Sequence, residues 1–317
     1  MRAERSEKNP LLTPEFFWEE KGVFNPGAIE IEEKIYLVYR AQGEDNISRF
    51  GLAIFDKDGE TLLERDYRPI FPPKEIERFF QKQRILLAKE NKKDVFIGCE
   101  DPRITIVGER LIICFTFVTG DLPPRIGITS IALRDFLRGK WDKFSPVRIV
   151  SPPTFPDNDA CLIKKQGRYF FFHRPGLREK GLSIWLDEWK RLKGRWVKGR
   201  EFISPKLKWQ EEKIGLGPPP LEIGEREVVI FHGVDENKVY RVGISFFRED
   251  FSLIKEWPEP ILEPEAFYEK EGEVSNVVFP CGAIQQEDRI LIYYGGADRV
   301  VGLAILKIEE IFEVLRG

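Results

Sequence analysis

Short apolar runs separated by polar turns recur along the whole chain, and they come in groups of three. The middle run of each group is the clearest: residues 35–40, 111–117, 169–175, 228–233 and 290–295. Each is long enough for one strand and too short for an amphipathic helix. A third run follows, with a glycine set among apolar residues, at 50–54, 126–129, 181–184, 242–245 and 301–305. Ahead of each middle run stands a strand opened by a phrase rich in Pro, Asn or Asp. These phrases are Asn25-Pro26-Gly27-Ala28, Glu100-Asp101-Pro102-Arg103, Asn158-Asp159-Ala160, Gly217-Pro218-Pro219-Pro220 and Phe279-Pro280-Cys281-Gly282-Ala283. Five copies of one strand-turn-strand plan predict a repeat architecture.

Measured from Pro26, Pro102, Asp159, Pro219 and Pro280, the repeats are spaced 76, 57, 60 and 61 residues apart. Propeller blades take about four strands in roughly 40–50 residues, with longer loops tolerated. A parallel β-helix needs far shorter repeats, and two jelly rolls would not place one phrase five times. The expectation is therefore an all-β fold, a five-bladed β-propeller with a few inserted and terminal helices, occupying residues 1–317 as a single catalytic domain. Residues 74–89 follow Pro72-Pro73 and carry apolar side chains at helical spacing, which accounts for the long first step; residues 308–315 predict a terminal helix. The first of these helices is a candidate subunit contact in a homo-oligomer.

Composition narrows the function classes. A net charge of −3 on a chain that is 32% charged excludes a broad basic surface, so no nucleic-acid partner is expected. No run approaches the roughly 18 apolar residues of a membrane span, and the charged start Met1-Arg2-Ala3-Glu4-Arg5 has no apolar signal core. No membrane association and a cytoplasmic location are expected. Cys99, Cys114, Cys161 and Cys281 lack C-x-x-C spacing and sit in apolar strands, as buried free thiols do. With only His173 and His232 to complement them, no metal site and no cofactor are expected.

In a propeller the innermost strands crowd around one axis, so polar residues far apart in sequence meet there. Asp101 stands at the mouth of the second repeat. Arg40, Arg103, His173, Arg174, Lys213 and His232 fall at comparable places in their own repeats, with Tyr39, Phe117, Tyr240 and Tyr294 as an aromatic rim. Clustered cations suit an anion, and Arg in particular suits phosphate oxygens. Flat aromatic faces beside hydrogen-bonding groups suit sugars. The residues point to a sugar pocket with an anion subsite and one acid.

Over nearly its whole length the chain resembles glycoside hydrolase family 130, the β-mannoside phosphorylases and related mannosidases. The resemblance is carried by Asn25-Pro26-Gly27-Ala28, Tyr39-Arg40-Ala41, Ser48-Arg49-Phe50-Gly51, the phrase from Gly98 to Arg103, and Phe172-His173-Arg174-Pro175. It continues through Lys213-Ile214-Gly215, Phe231-His232-Gly233-Val234, Tyr240-Arg241-Val242-Gly243, Asn276 to Ala283 and Tyr294-Gly295-Gly296-Ala297-Asp298. It implies a five-bladed propeller with Asp101 as general acid, and phosphate held by Arg174, Lys213 and His232. Arg40 and Asp298 are implied as mannose contacts, Asn25 and Arg103 as further substrate contacts, and Tyr240 as a contact to phosphate or sugar. Asn158 stands where many family members carry a basic residue.

The implied reaction is inverting phosphorolysis, which makes inorganic phosphate a co-substrate. A β-linked mannoside (mannobiose, a manno-oligosaccharide or a mannosyl-glucose) would react with phosphate to give α-mannose 1-phosphate. The family's acid is taken to deliver its proton through the sugar's 3-hydroxyl. An inverting hydrolase needs a second carboxylate to deprotonate water; phosphate, already anionic, needs positioning by cations. Two alternatives stand beside this reading: an inverting β-mannosidase of the same family, and a non-catalytic carbohydrate-binding propeller. The basic trio counts against the first and the full Asp101 motif against the second.

Overall fold

The computed structural model describes residues 1–92, 94–177, 182–192 and 199–316. Its strands form five antiparallel blades. After a two-residue strand β1 (Glu4–Arg5), the first blade runs β2 (Gly22–Ile31), β3 (Lys34–Gln42), β4 (Ile47–Phe55) and β5 (Leu62–Arg65). Helix α1 (Lys74–Lys89) intervenes where helical spacing predicts it. The second blade is β6 (Ile97–Val107), β7 (Arg110–Val118), β8 (Arg125–Ala132) and β9 (Arg148–Ile149), with the one-turn helix α2 (Leu133–Phe136) before its last strand. The third is β10 (Asp157–Lys165), β11 (Arg168–Pro175), β12 (Ile184–Trp189) and β13 (Arg200–Ile203).

In the fourth blade the innermost strand is split. β14 (Lys213–Leu216) and β15 (Leu221–Ile223) both pair with β16 (Arg226–Val234), followed by β17 (Tyr240–Arg248) and β18 (Leu253–Glu256). Pro218, Pro219 and Pro220 lie in the gap, where the missing N–H groups interrupt the ladder. A short helix α3 (Phe267–Lys270) leads into the fifth blade, β19 (Val278–Gln285), β20 (Arg289–Gly296) and β21 (Val300–Lys307), and α4 (Ile308–Arg316) closes the chain. The outer strand of that blade is β1, with Glu4 opposite Ile305 and Arg5 opposite Ala304. The N-terminus therefore latches the ring shut.

Five apolar clusters fill the seams, one between each pair of neighbouring blades. Val38 and Leu52 meet Ile104 and Ile113; Ile112 and Ile128 meet Leu162 and Phe171; Phe172 and Ile184 meet Ile214 and Phe231. Ile230 and Ile244 then meet Val278 and Ile292, and Leu291 and Leu303 return to Ile35 and Leu37. That last seam makes the ring closed and five-membered. Along β7, Leu111 and Ile113 enter one seam while Ile112 and Cys114 enter the next. Both faces of each blade are buried, so the strands read as continuous apolar runs. The four cysteines are buried and unpaired.

Two expectations about strand limits need correction. The Asn/Asp/Pro phrases of β2, β6, β10 and β19 lie inside the innermost strand, at a bulge, and do not precede it. The third run of the third repeat begins as a strand only at Ile184, and Gly181 lies outside the described residues. Among the described residues, no helix is long and apolar enough to cross a membrane.

Candidate active site

The bulges build the site. In β2, β6 and β10 one extra residue is inserted between Phe24 and Gly27, Glu100 and Arg103, and Asn158 and Cys161. Asn25, Asp101 and Asp159 sit there with φ of 49°, 52° and 55°. Left-handed backbone is uncommon for residues other than Gly, and Asn and Asp tolerate it best. The bulge breaks the in-out alternation of the innermost strand and turns a polar side chain toward the axis. Asn25 Nδ2 donates to Asp101 Oδ1 at 2.9 Å, which links the first two blades.

Arg40, near the end of β3, organises an acidic half. Its Nη1 donates to Asp101 Oδ1 at 3.2 Å, its Nη2 to Glu100 Oε1 at 2.8 Å and its Nε to Ser48 Oγ at 3.0 Å. The guanidinium lies 4.8 Å from the Phe24 ring centroid. Asp298, in left-handed backbone at φ 52°, completes this half. Burial pushes the Glu100 carboxyl up to about 7, with Arg40 opposing and Asp101 and Asp298 reinforcing. Burial likewise pushes Asp298 up to about 6, against Arg40 and with Asp101. Glu100 and Asp298 therefore hold their protons more readily than ordinary carboxyls do.

Asp159 organises a basic half. Its Oδ2 accepts from Arg174 Nε at 2.6 Å, and its Oδ1 accepts from Arg103 Nη2 at 3.2 Å. His232 Nε2 lies 3.7 Å from Asp159 Oδ2, and among the described residues neither ring nitrogen of this buried histidine has a hydrogen-bond partner. Burial lowers the His232 pKa well below its ordinary value, opposed by Asp159 and reinforced by Arg174 and Lys213, so the ring is neutral. Lys213 Nζ donates to Tyr240 Oη at 2.7 Å. Burial, with Arg174 nearby, lowers the Lys213 ammonium to about 8. Phe279 packs beneath, 4.3 Å from the His232 ring and 6.0 Å from that of Tyr240.

The structure thus brings together Asn25, Arg40, Asp101, Arg174, Lys213, His232, Tyr240 and Asp298. Five placements differ from expectation. Arg103 belongs to the floor, not the lining: its side chain has no exposed surface, and it donates to the carbonyls of Asp101, Leu216 and Gly217 as well as to Asp159. His173 turns away and bonds Asp157 through Nδ1 at 2.9 Å. Tyr39 and Tyr294 point into the seams, where their hydroxyls donate to Glu19 and Glu269, because neighbouring residues of a strand occupy opposite faces. Phe117 stacks on Phe79 and packs at a tilt against Phe80, both of α1. Nor is Asp101 the sole carboxylate. Glu100, Asp159 and Asp298 stand around it, and the sequence signal for Asp159 was its place in the repeat, matching Asp101 one blade earlier.

An acidic half that offers acceptors to hydroxyls, joined through Arg103 to a basic half that offers donors to an anion, characterises a carbohydrate-active enzyme built on a propeller. The family described as beta-1,4-mannooligosaccharide phosphorylase matches residues 77–317, and the chain belongs to it, glycoside hydrolase family 130. A 1,2-beta-oligomannan phosphorylase of Thermoanaerobacter sp. (strain X514) is 31% identical, over 98% of this chain and 99% of that one. A Beta-1,4-mannooligosaccharide phosphorylase of Ruminococcus albus is 28% identical over 68% of this chain and 65% of its own. Among solved structures, Beta-1,2-mannobiose phosphorylase from Listeria innocua, in complex with beta-1,2-mannobiose, superposes with a TM-score of 0.79. It covers 100% of this chain and 99% of its own at 23% identity, a likeness of fold.

Proposed function

We propose that the protein is an inverting β-mannoside phosphorylase, with inorganic phosphate as the attacking group and α-mannose 1-phosphate as the product. The observation that carries this reading is the basic half of the site. Arg103 and Arg174 bond one carboxylate, Asp159, whose charge also reaches Lys213, and among the described residues the terminal nitrogens of Arg174 donate to no protein group. A phosphate there accepts from Arg174 and Lys213, with Tyr240 and neutral His232 as further donors. Phosphate held opposite Asp101 attacks the anomeric carbon from the far face. Asp101 supplies the proton to the departing sugar, directly or through a substrate hydroxyl, while Arg40 and Asp298 hold the mannosyl unit.

Electrostatics weighs against water as the nucleophile. A hydrolase needs a basic carboxylate on the far side of the sugar. Asp159 occupies the basic half, but both its oxygens accept from arginines. Burial would raise its pKa, yet Arg174 and Arg103 outweigh this and hold it well below the ordinary carboxylate range. Such a group is a poor base. Co-binding of phosphate and mannoside turns a two-ligand encounter into a near-unimolecular step.

The β-1,2 linkage is the finer reading, supported by the names of the full-length Thermoanaerobacter relatives. Incubation with β-1,2- and β-1,4-mannobiose, each with and without phosphate, tests it. Sugar phosphate from the β-1,2 substrate is expected; faster release from the β-1,4 substrate would overturn the linkage, and phosphate-independent release of mannose from both would overturn the reaction.

A further inference from the structure

We propose that Asp159 is the positioning carboxylate of the anion subsite: it fixes Arg174 through Nε so that the two terminal nitrogens face the pocket, and it thereby sets phosphate affinity. The inference rests on the phosphorolysis reading and assigns a role to a buried charge that the reaction itself leaves unused. Asp159 is 2% exposed, sits in left-handed backbone on a bulge, and bonds Arg174 Nε at 2.6 Å and Arg103 Nη2 at 3.2 Å. An arginine gripped at Nε presents a planar two-pronged donor, the geometry that matches two phosphate oxygens. Without that grip Arg174 is a long, flexible side chain.

Asp159 is itself clamped from three sides. Arg103, anchored on three backbone carbonyls, holds Oδ1. His232 stands 3.7 Å from Oδ2. Gly215, on the neighbouring blade, leaves the space beside them open. A Cβ there would lie 2.2 Å from Asp159 Oδ2, 2.4 Å from His232 Cε1 and 2.6 Å from His232 Nε2. The Gly215 hydrogen thus occupies the one place where a side chain would push the carboxylate off Arg174. Held ionised between arginines, the carboxylate organises the donors without titrating near neutral pH.

The test is steady-state phosphorolysis by the full chain, with phosphate and mannoside varied separately. In Asp159→Asn one arginine faces an amide donor in place of an oxygen, so the phosphate KM should rise about tenfold or more while the mannoside KM moves less than about twofold. A double-mutant cycle with Arg174→Ala separates positioning from general support of the fold. If Asp159 acts through Arg174, adding Asp159→Asn to Arg174→Ala raises the phosphate KM by less than about threefold further. Multiplicative effects, or an unchanged phosphate KM in a folded Asp159→Asn protein, would overturn the proposal.

Should Asp159→Asn not fold, Gly215→Ala crowds both Asp159 and His232 with every charge retained, and pairing it with Arg174→Ala isolates the part that acts through Arg174. A selective rise in phosphate KM supports the proposal, and an unchanged one refutes it. Stabilisation of the wild-type protein against heat by inorganic phosphate alone separates the two levels of inference. A wild type that neither needs phosphate nor is stabilised by it removes both readings. A phosphate-dependent wild type with a phosphate-indifferent Asp159→Asn or Gly215→Ala removes only this one.

Discussion

Replacing Lys213 with Met removes one charge and keeps most of the side chain's stem. Lys213 lies at the start of β14, partly shielded, with its ammonium 2.7 Å from the Tyr240 hydroxyl. Among the described residues no carboxylate bonds it, so its charge is available to a ligand. A charge-assisted hydrogen bond to an anion contributes about 1.5–3 kcal/mol, so Lys213→Met should raise the phosphate KM roughly 10- to 150-fold. The mannoside KM should change little, because Arg40 and Asp298 lie in the acidic half. The pH profile supplies an independent check. Burial lowers the Lys213 ammonium from 10.5 to about 8, so the free enzyme loses this charge as pH rises through about 8. The wild-type kcat/KM for phosphate should therefore fall above that pH, since this quantity reports the free enzyme. In the complex the phosphate charge favours the ammonium, so the fall in kcat should lie at higher pH. Lys213→Met should lose the alkaline fall near 8. Initial rates with phosphate varied from neutral to alkaline pH measure all of this. A variant with wild-type phosphate KM, or one that keeps the alkaline fall, would refute the assignment.

Asp101→Asn should retain the fold and sugar binding but lose about 10²- to 10⁴-fold in turnover, as expected for a general acid; near-normal rates would exclude that role. Below about pH 6 Asp298 takes up a proton, so the mannoside KM should rise on acidification through that value, and a flat acid limb would count against the sugar contact. Glu100 has its folded-state pKa raised from 4.5 to about 7, so its ionisation costs stability fully above about 7, and the cost vanishes as pH falls toward 4.5. Glu100→Gln should therefore stabilise the protein by up to about 3 kcal/mol in mildly alkaline buffer and by nothing in acid; a variant less stable than wild type at alkaline pH would contradict this. Arg5 tethers β1 to the buried Glu269, so Arg5→Ala should lower stability by roughly 3 kcal/mol in chemical unfolding, and no loss would show that the latch does not close the ring.

Much of the fold was legible because both faces of every blade are buried. Residues such as Leu111 to Cys114 are apolar without interruption, and the turns between them are polar. Helix α1 was legible from its spacing and from Pro72-Pro73. The latch was not: Glu4-Arg5 is charged, two residues long, and pairs with a strand almost the whole chain away, so no local pattern announces it. The split of the innermost strand in the fourth blade follows from Pro218 to Pro220, a signal visible in the sequence but read there as the start of a strand. At the site, the residue types at the axis were legible and their directions only in part. Adjacent residues of one strand cannot share a face, which removes Tyr39 from a pocket that holds Arg40. The bulges then shift the alternation by one residue, which delivers Asp101 and Asp159 to the axis and sends Arg103 below it. That shift depends on cross-strand register, which a single sequence does not display.

Phosphorus NMR of the reaction mixture distinguishes attack on the mannoside by phosphate from attack by water. The full chain is incubated with β-1,2-mannobiose and inorganic phosphate, and the spectrum is followed from the first turnovers. A growing resonance of α-mannose 1-phosphate is expected, equimolar with released mannose and absent without phosphate. Free mannose accumulating at the same rate with or without phosphate, and with no sugar phosphate under either condition, would contradict attack by phosphate.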